Sequence, residues 1–440
     1  MLKAIKWEIE SSCNLNCKHC FVGKTKYSKS NSLEKNKQIV DKLVNLGLKQ
    51  IIFSSKEPFK YKDFIHLIKY CRNKQLDISI VTNGTLLTEE FIKILLTCNI
   101  KFLSISLEGI NAKSNDFIRG NGVFDTVMNN ISLIQKLEKE SKRSLPLALQ
   151  LTLNKNTIDE IDELINYFKD NKFTTINIGD IALTGNARDN LDIKLSDDKY
   201  NYIINHLLYN YSLLENKSFS LNFKKCTPHE IIYFNTIYNL NLDIPIPQCP
   251  VNGNTFSLLP DGTMCSCVAL LEEFPDVDIC SGHILDESIK FKSDVKLEMI
   301  QNYKNDGICM KCKFNNKCLA CLVMCADKKE INNMKSSCNK YYNELNILVE
   351  KIFNGNINFK FRNELFLMLN KDDALIMKKF YYTSNENIIE IKSKDYIELI
   401  LELYKSDEYV NIRDFNYNKF SKELLTEFVF NDFLSIKNKC

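Results

Sequence analysis

No apolar run in the sequence approaches the ~20 residues a helix needs to span a bilayer, so the chain is not read as a membrane protein. Charge of one sign is scarce too: 58 basic side chains against 55 acidic ones leave a net +3. That balance lacks the electrostatic footprint of a nucleic-acid binder. The opening Met1-Leu2-Lys3-Ala4 has no apolar h-region of a secretory signal. These absences predict a cytoplasmic protein whose partners include neither nucleic acid nor membrane. What is present is ordinary: 440 residues, 45% apolar and 26% charged, enough for two or three domains around a large core.

Cysteine is the exception, with 17 in the chain. In a reducing compartment such a number points to metal binding or catalysis rather than disulfides. Eleven fall in tight groups: Cys13/17/20, Cys265/267/280 and Cys309/312/318/321/325. Cys71 and Cys98 sit in apolar helical contexts and read as buried structural thiols, and Cys440 is terminal. The first group has the spacing C-x3-C-x2-C and directly follows an apolar-alternating strand (Ala4, Ile5, Trp7, Ile9). Three thiolates on one loop can hold three irons of a [4Fe–4S] cube and leave the fourth open to a substrate. The competing reading is a zinc loop, although zinc sites usually show paired cysteines and close at four ligands.

Residues 3 to about 215 repeat one unit, a short β-branched strand followed by a turn and an amphipathic helix. Strands are expected at 4–9, 50–54, 78–82, 101–107, 146–153 and 174–178. The helices between and after them are expected near 33–46, 61–72, 88–97, 123–140, 157–169 and 196–214, with Gly47 ending the first and Thr88 capping the third. Six such units predict an α/β fold, a partial (β/α)6 TIM-type barrel whose site lies where strands end and loops begin.

The triplet, with Phe21 after its last cysteine, resembles the signature of the radical S-adenosylmethionine (SAM) enzymes. The resemblance implies a [4Fe–4S] cluster on Cys13, Cys17 and Cys20 whose open iron chelates SAM and cleaves it to a 5′-deoxyadenosyl radical. Turns after later strands match the family in order. Ser55-Lys56-Glu57-Pro58 stands where the family reads Gly-Gly-Glu-Pro, and Thr82-Asn83-Gly84 matches a Thr-Asn-Gly turn. Ser104-Ile105-Ser106-Leu107-Glu108-Gly109 is close to Ser-Leu-Asp-Gly, and Asn115-Asp116-Phe117-Ile118-Arg119-Gly120 to His-Asp-x-x-Arg-Gly. Ile178-Gly179-Asp180 and Thr184-Gly185-Asn186-Ala187-Arg188 follow the sixth strand. By this resemblance Glu57 takes the SAM amino group, Ser106 and Arg119 its carboxylate, and Gly179 lets the adenine approach the backbone; Phe21 and Asn83 complete the cofactor-binding set.

Downstream, Gly262 to Cys267 gives G-x4-C, and Cys309, Cys312 and Cys318 give C-x2-C-x5-C, as in the SPASM extension of that family. That extension, an expected Cys-rich α+β auxiliary iron–sulfur domain, holds two auxiliary [4Fe–4S] clusters. By motif position Cys309, Cys312, Cys318 and Cys338 ligate the outer one, and Cys249, Cys267 and either Cys321 or Cys325 the inner one. Cys226, Cys265 and Cys280 stand as alternative ligands or plain thiols. The expected division is a radical SAM partial barrel over 1–220, an auxiliary-cluster domain over 221–345 and a C-terminal α-rich extension over 346–440, with helices near 363–370 and 395–405. The extension reads as a structural appendage, with capping the cluster domain or holding a peptide as its other possible roles.

The function implied is radical modification of a ribosomally made, Cys-rich precursor peptide, with a thioether or other cross-link as product and flavodoxin or ferredoxin as electron donor. Only twelve residues precede Cys13, so peptide recognition is expected from the C-terminal tail, the barrel mouth or a separate protein. Two alternatives compete. One is an oxidase of the anaerobic sulfatase-maturating type, which makes formylglycine but usually has Tyr where His19 stands and Phe-Tyr where Phe21-Val22 stands. The other is a non-enzymatic metal-binding scaffold.

Overall fold

The computed structural model describes residues 4–23, 29–243, 255–273, 280–287, 308–312, 314, 328–370, 374–380, 386–406, 408–414 and 421–437. Seven parallel strands follow one another across a single sheet: β1 (Ala4–Trp7), β2 (Gln50–Phe53), β3 (Asp77–Thr82), β4 (Phe102–Ser106), β5 (Leu147–Thr152), β6 (Thr175–Gly179) and β7 (Ser220–Phe223). Each odd–even alternation sorts side chains by face. In β1, Ile5 and Trp7 are fully buried while Lys6 points the other way and is exposed. The same parity sends Phe53, Ile80, Ile105, Leu149, Ile178 and Phe223 into the apolar layer under the helices. Polar side chains occupy the opposite, concave face: Gln50 Nε2 donates to Ser79 Oγ (3.1 Å), Gln150 Nε2 to Ser104 Oγ (2.9 Å) and Lys224 Nζ to Gln150 Oε1 (2.6 Å). The lumen of the half-barrel is thus lined by hydrogen-bonded polar side chains.

The helices are α1 (Leu33–Asn45), α2 (Phe64–Asn73), α3 (Glu89–Cys98), α4 (Ala112–Arg119), α5 (Val123–Ser141), α6 (Ile161–Asp170), α7 (Asp197–Ser212) and α8 (Pro228–Tyr238). Local chemistry sets their ends. Thr88 caps α3 as expected, its side chain accepting from Phe91 N, and Gly47 follows α1 at φ 85°. Near 157–169 the chain first makes a 3-10 turn over Thr157–Glu160 and only then enters α6. The pattern reading missed α4, β7 and α8.

Beyond the barrel, β8 (Thr255–Leu258) pairs in parallel with β1, and β9 (Thr263–Cys265) and β10 (Cys280–His283) continue antiparallel. The result is one ten-stranded sheet ordered β10-β9-β8-β1-β2-β3-β4-β5-β6-β7. Two short helices, α9 (Val268–Glu273) and α10 (Ile308–Lys311), precede the long α11 (Lys328–Phe353). A boundary at 345 would cut α11, and one at 220 would cut β7, so neither expected division falls in a linker.

The C-terminal region carries strands as well as the expected helices. These are β11 (Phe359–Phe361), β12 (Leu365–Leu369), β13 (Leu375–Phe380), β14 (Glu386–Ile391), α12 (Lys394–Lys405), α13 (Lys422–Phe430) and β15 (Leu434–Ile436). The helix expected near 363–370 is β12, held in register against β13. A short apolar run does not reveal its period, and partner strands decide it. Among the described residues no helix is long and apolar enough to cross a membrane.

Candidate active site

The cysteine loop leaves β1 at the carboxyl end of the sheet, and several strand ends grip it. Thr184 Oγ1 donates to Phe21 O (2.9 Å), Asn186 N to Cys20 O (2.9 Å), and Asn186 Nδ2 to both Asn16 Oδ1 (2.9 Å) and Cys17 O (3.0 Å). Lys18 N donates to Ile118 O at 2.9 Å, and the Lys18 ammonium stands 3.6 Å from the centre of the Phe117 ring. Lys56 Nζ crosses to Gly23 O at 2.7 Å. The two glycines missing from the second-strand turn are therefore compensated: Ser55 itself takes φ 85°, and Lys56 becomes a clamp on the loop.

Gly185 explains why a glycine stands in the sixth-strand turn. A Cβ there would lie 2.5 Å from Cys20 O and 2.8 Å from Gly23 N, at φ +56°. Gly185→Ala is accordingly expected to push the turn off the loop and lower iron affinity about 10–100-fold, the usual loss when a ligand's outer support goes. Iron content after anaerobic reconstitution checks this; full iron at wild-type affinity would refute it.

Cys13, Cys17 and Cys20 are all partly buried on this loop. N–H groups surround the sulfurs: Leu15 N lies 3.5 Å and Asn83 Nδ2 3.7 Å from Cys13 Sγ, and Arg119 Nη1 lies 3.9 Å from Cys17 Sγ. Burial pushes the Cys17 thiol up to about 11 against the pull of Arg119, and burial likewise raises Cys13. Metal binding must therefore displace protons. The buried Arg119 Nε and His19 Nδ1 have no hydrogen-bond partner among the described residues. Donors aimed at sulfur and the spare Nε–H of the Arg119 guanidinium fit an anionic iron–sulfur cluster on these thiolates.

A triad that motif reading did not assemble supports this wall. Glu108, 1% exposed, meets Arg119 Nη2 at 2.5 Å and His19 Nε2 at 3.0 Å through one oxygen, and accepts from Thr152 N (2.6 Å) through the other. Burial raises its pKa, but His19 and Arg119 outweigh that and hold it below the ordinary value. Arg119 thus shares its guanidinium between Glu108 and the Cys17 sulfur.

Glu57, also 1% exposed, accepts from Thr82 Oγ1 (2.8 Å), Phe59 N (3.1 Å) and Asn83 N (2.8 Å). Burial raises its pKa against those donors. It clasps the second-strand turn to the third. Ser106 is nearly buried at the end of β4. At Gly179 the nearest atom to a built Cβ is Lys224 Cδ at 3.7 Å, so the backbone is open to approach. Phe21 is 41% exposed at the rim.

Of the auxiliary cysteines, Cys309 and Cys312 share a turn (Cys312 N donates to Cys309 O, 3.3 Å). Cys312 and Cys338 both face His229 of α8, which sequence reasoning did not single out. Cys267 ends the β9 turn, Cys265 and Cys280 are register partners in β9 and β10, and Cys226 is buried ahead of α8. Cys249, Cys318, Cys321 and Cys325 lie outside the described residues. Among the described residues no group of three or more His, Cys, Asp or Glu side chains gathers as a single-ion site.

Comparison with known proteins places this geometry. Residues 8–168 match the radical SAM superfamily. The AdoMet-dependent heme synthase of Methanosarcina barkeri is 23% identical over 331 residues, 72% of this chain and 90% of that protein. The chain spans only 53% of the Fe-coproporphyrin III synthase of the same organism. The radical SAM cyclopropyl synthase TigE of Paramaledivibacter caminithermalis is 25% identical over 376 residues, 80% of this chain and 74% of that one. In fold, Streptococcus suis SuiB bound to its precursor peptide SuiA aligns with a TM-score of 0.54 at 15% identity, over 73% of this chain and 72% of that one. These likenesses displace the non-enzymatic scaffold reading. Residues 8–168 form a radical SAM domain, of a family that uses a [4Fe–4S] cluster and SAM, and this domain marks the chain as a radical SAM enzyme.

Proposed function

We propose that this enzyme modifies a ribosomally made precursor peptide, forming a thioether or other cross-link. The observation that carries the reading is the convergence of Glu57, Asn83, Glu108, Arg119 and Asn186, from four strand ends, on one three-cysteine loop above a polar lumen. When bound, the cluster and SAM supply the 5′-deoxyadenosyl radical that removes a substrate hydrogen. Asn83 and Arg119 stabilise the thiolates of Cys13 and Cys17, while Glu57 and Ser106 are assigned the SAM amino and carboxylate groups. Arg119 Nε, without a partner among the described residues, is available to the same carboxylate. Auxiliary clusters on the downstream cysteines would take the surplus electron, and a flavodoxin or ferredoxin would deliver the first one.

Peptide recognition is assigned to the C-terminal meander. On its edge strand β12, Phe366, Met368 and Leu369 are each more than half exposed, and an edge strand is a ready template for an extended peptide. Met368→Asp is expected to weaken precursor binding at least tenfold while leaving uncoupled 5′-deoxyadenosine release intact; equal loss of both would refute the assignment.

A second reading, a tetrapyrrole substrate after the heme-synthase relative, draws on lumen charge. Lys6 and Lys224 stand on the concave face and would suit carboxylates. Anaerobic turnover with SAM, reductant and candidate peptides, read by mass spectrometry, separates the readings. Loss of two hydrogens from a Cys-rich peptide supports the first. Decarboxylation of an iron porphyrin supports the second, and conversion confined to a sulfatase motif supports formylglycine formation.

A further inference from the structure

His229 is 2% exposed, yet none of the cysteine motifs includes it. It is the second residue of α8, whose start is fixed by Pro228 and by a reciprocal capping box between Thr227 and Glu230. Its backbone position is therefore set before any metal arrives. Three rings fix the imidazole plane: Phe314 at 5.9 Å, Tyr342 at 5.4 Å and Phe430 at 5.9 Å, at interplanar angles of 73° to 78°. In that frame Nδ1 lies 3.0 Å from Cys338 Sγ and Nε2 lies 4.0 Å from Cys312 Sγ. One imidazole edge thus faces sulfurs from two elements separated in the chain, α10 with its following residue and α11.

We propose that His229 is a positioning residue for the outer auxiliary cluster, donating its Nδ1–H to the sulfur of Cys338. The inference rests on the assignment of Cys309, Cys312 and Cys338 to one cluster. A cysteine that ligates iron is a thiolate and can only accept a hydrogen bond, so the proton of this contact belongs to the imidazole. A donor to a ligating sulfur favours the more negative, reduced state of the cluster, and hydrogen bonds to sulfur are among the factors that set such potentials. His229 would therefore hold this cluster at a higher potential, suited to accepting the electron left over from substrate oxidation. The aromatic cage keeps water from competing for the contact.

The test uses the full-length chain carrying Cys13→Ala, Cys17→Ala and Cys20→Ala, so that only auxiliary iron is read. If that background binds no iron after anaerobic reconstitution, the auxiliary-cluster assignment itself fails. Where it binds iron, His229→Phe, which keeps a ring in the cage, and His229→Asn, which keeps an N–H near the place of Nδ1, are compared by iron content, redox-titrated electron paramagnetic resonance and circular dichroism. The expected result is full iron in both variants. The Phe variant should shift about tenfold toward the oxidised state at fixed potential, about 59 mV for a one-electron couple, and the Asn variant should return toward wild type. Should the Phe variant lose its cluster, the Asn variant retains iron and a near-native signal if the donor is what matters. An unshifted potential in the Phe variant overturns the inference. So does loss of iron from both folded variants, or a directly coordinated nitrogen in the wild-type signal, because His229 would then be a ligand.

Discussion

Replacing Cys17 with alanine abolishes 5′-deoxyadenosine formation from SAM while the chain stays folded. Cys17 is the middle cysteine of the loop, and its sulfur faces Arg119 Nη1 at 3.9 Å. Loss of an outer partner already costs a metal site about 10–100-fold; removal of a ligating thiolate costs more, since no other described side chain stands in its place. The backbone grip on the loop does not depend on the thiol. Asn186 still donates to Cys17 O, and Lys18 N still donates to Ile118 O. The variant should therefore keep its circular dichroism and lose the iron of this loop. Chromatographic assay of 5′-deoxyadenosine after incubation with SAM and dithionite gives the readout, and cleavage at even a hundredth of the wild-type rate would remove Cys17 from the ligand set. Cys312→Ala makes the contrast: uncoupled SAM cleavage persists while peptide product is lost.

How much of this was legible in the residues depends on how far apart the contacting partners lie. The βα repeat could be read because period and caps are local: Thr88 caps the helix that follows, and Gly47 sits just beyond α1. The strand-end turns could be found because each is a short string. Their interlocking could not. The Thr184–Phe21 and Asn186–Cys17 contacts span 163 and 169 residues, and Arg119–Cys17 spans 102. Glu108 stood inside a recognised turn, but only the fold shows that it meets both Arg119 and His19. His229 left no signal, since a lone histidine in an apolar helix is most often plain core. The helix expected near 363–370 failed because that apolar run takes its conformation from β13.

The C-terminal region is tied to α8 and the residues after it by a buried charge network, and its failure should be the largest stability effect outside the barrel. Asp432, fully buried at φ 61°, meets Lys379 Nζ at 2.7 Å and accepts from Asn235 Nδ2 of α8 at 2.8 Å. Arg362 Nε stands 3.1 Å from its other oxygen, close enough to pair charge although not aligned as a hydrogen bond, while Arg362 Nη1 donates to Leu240 O at 2.7 Å. Burial pulls Lys379 down to about 8 against the pull of Asp432, so the carboxylate is what keeps these cations tolerable. Asp432→Asn keeps the size and the left-handed backbone while deleting the charge. Lys379 can then shed its proton, but Arg362 cannot, and stranding a buried cation costs about 3–5 kcal/mol. Because a chain of this size need not unfold in one step, the loss should be read by hydrogen exchange in β13 and β15 and by protease sensitivity of residues 359–437, with the barrel amides unchanged. Adding Lys379→Met and Arg362→Met should restore protection, since an apolar replacement of a buried ion network is often neutral or better. Exchange in β13 that stays at wild-type rates in Asp432→Asn would mean that Asn235 and the apolar contacts of Phe428 and Phe433 hold the region without the charge. The same lesion bears on the site: Asn235 and His229 share α8, and Phe430 of α13 touches the His229 ring at 5.9 Å. Loosening the C-terminal region should therefore also loosen the cage around His229.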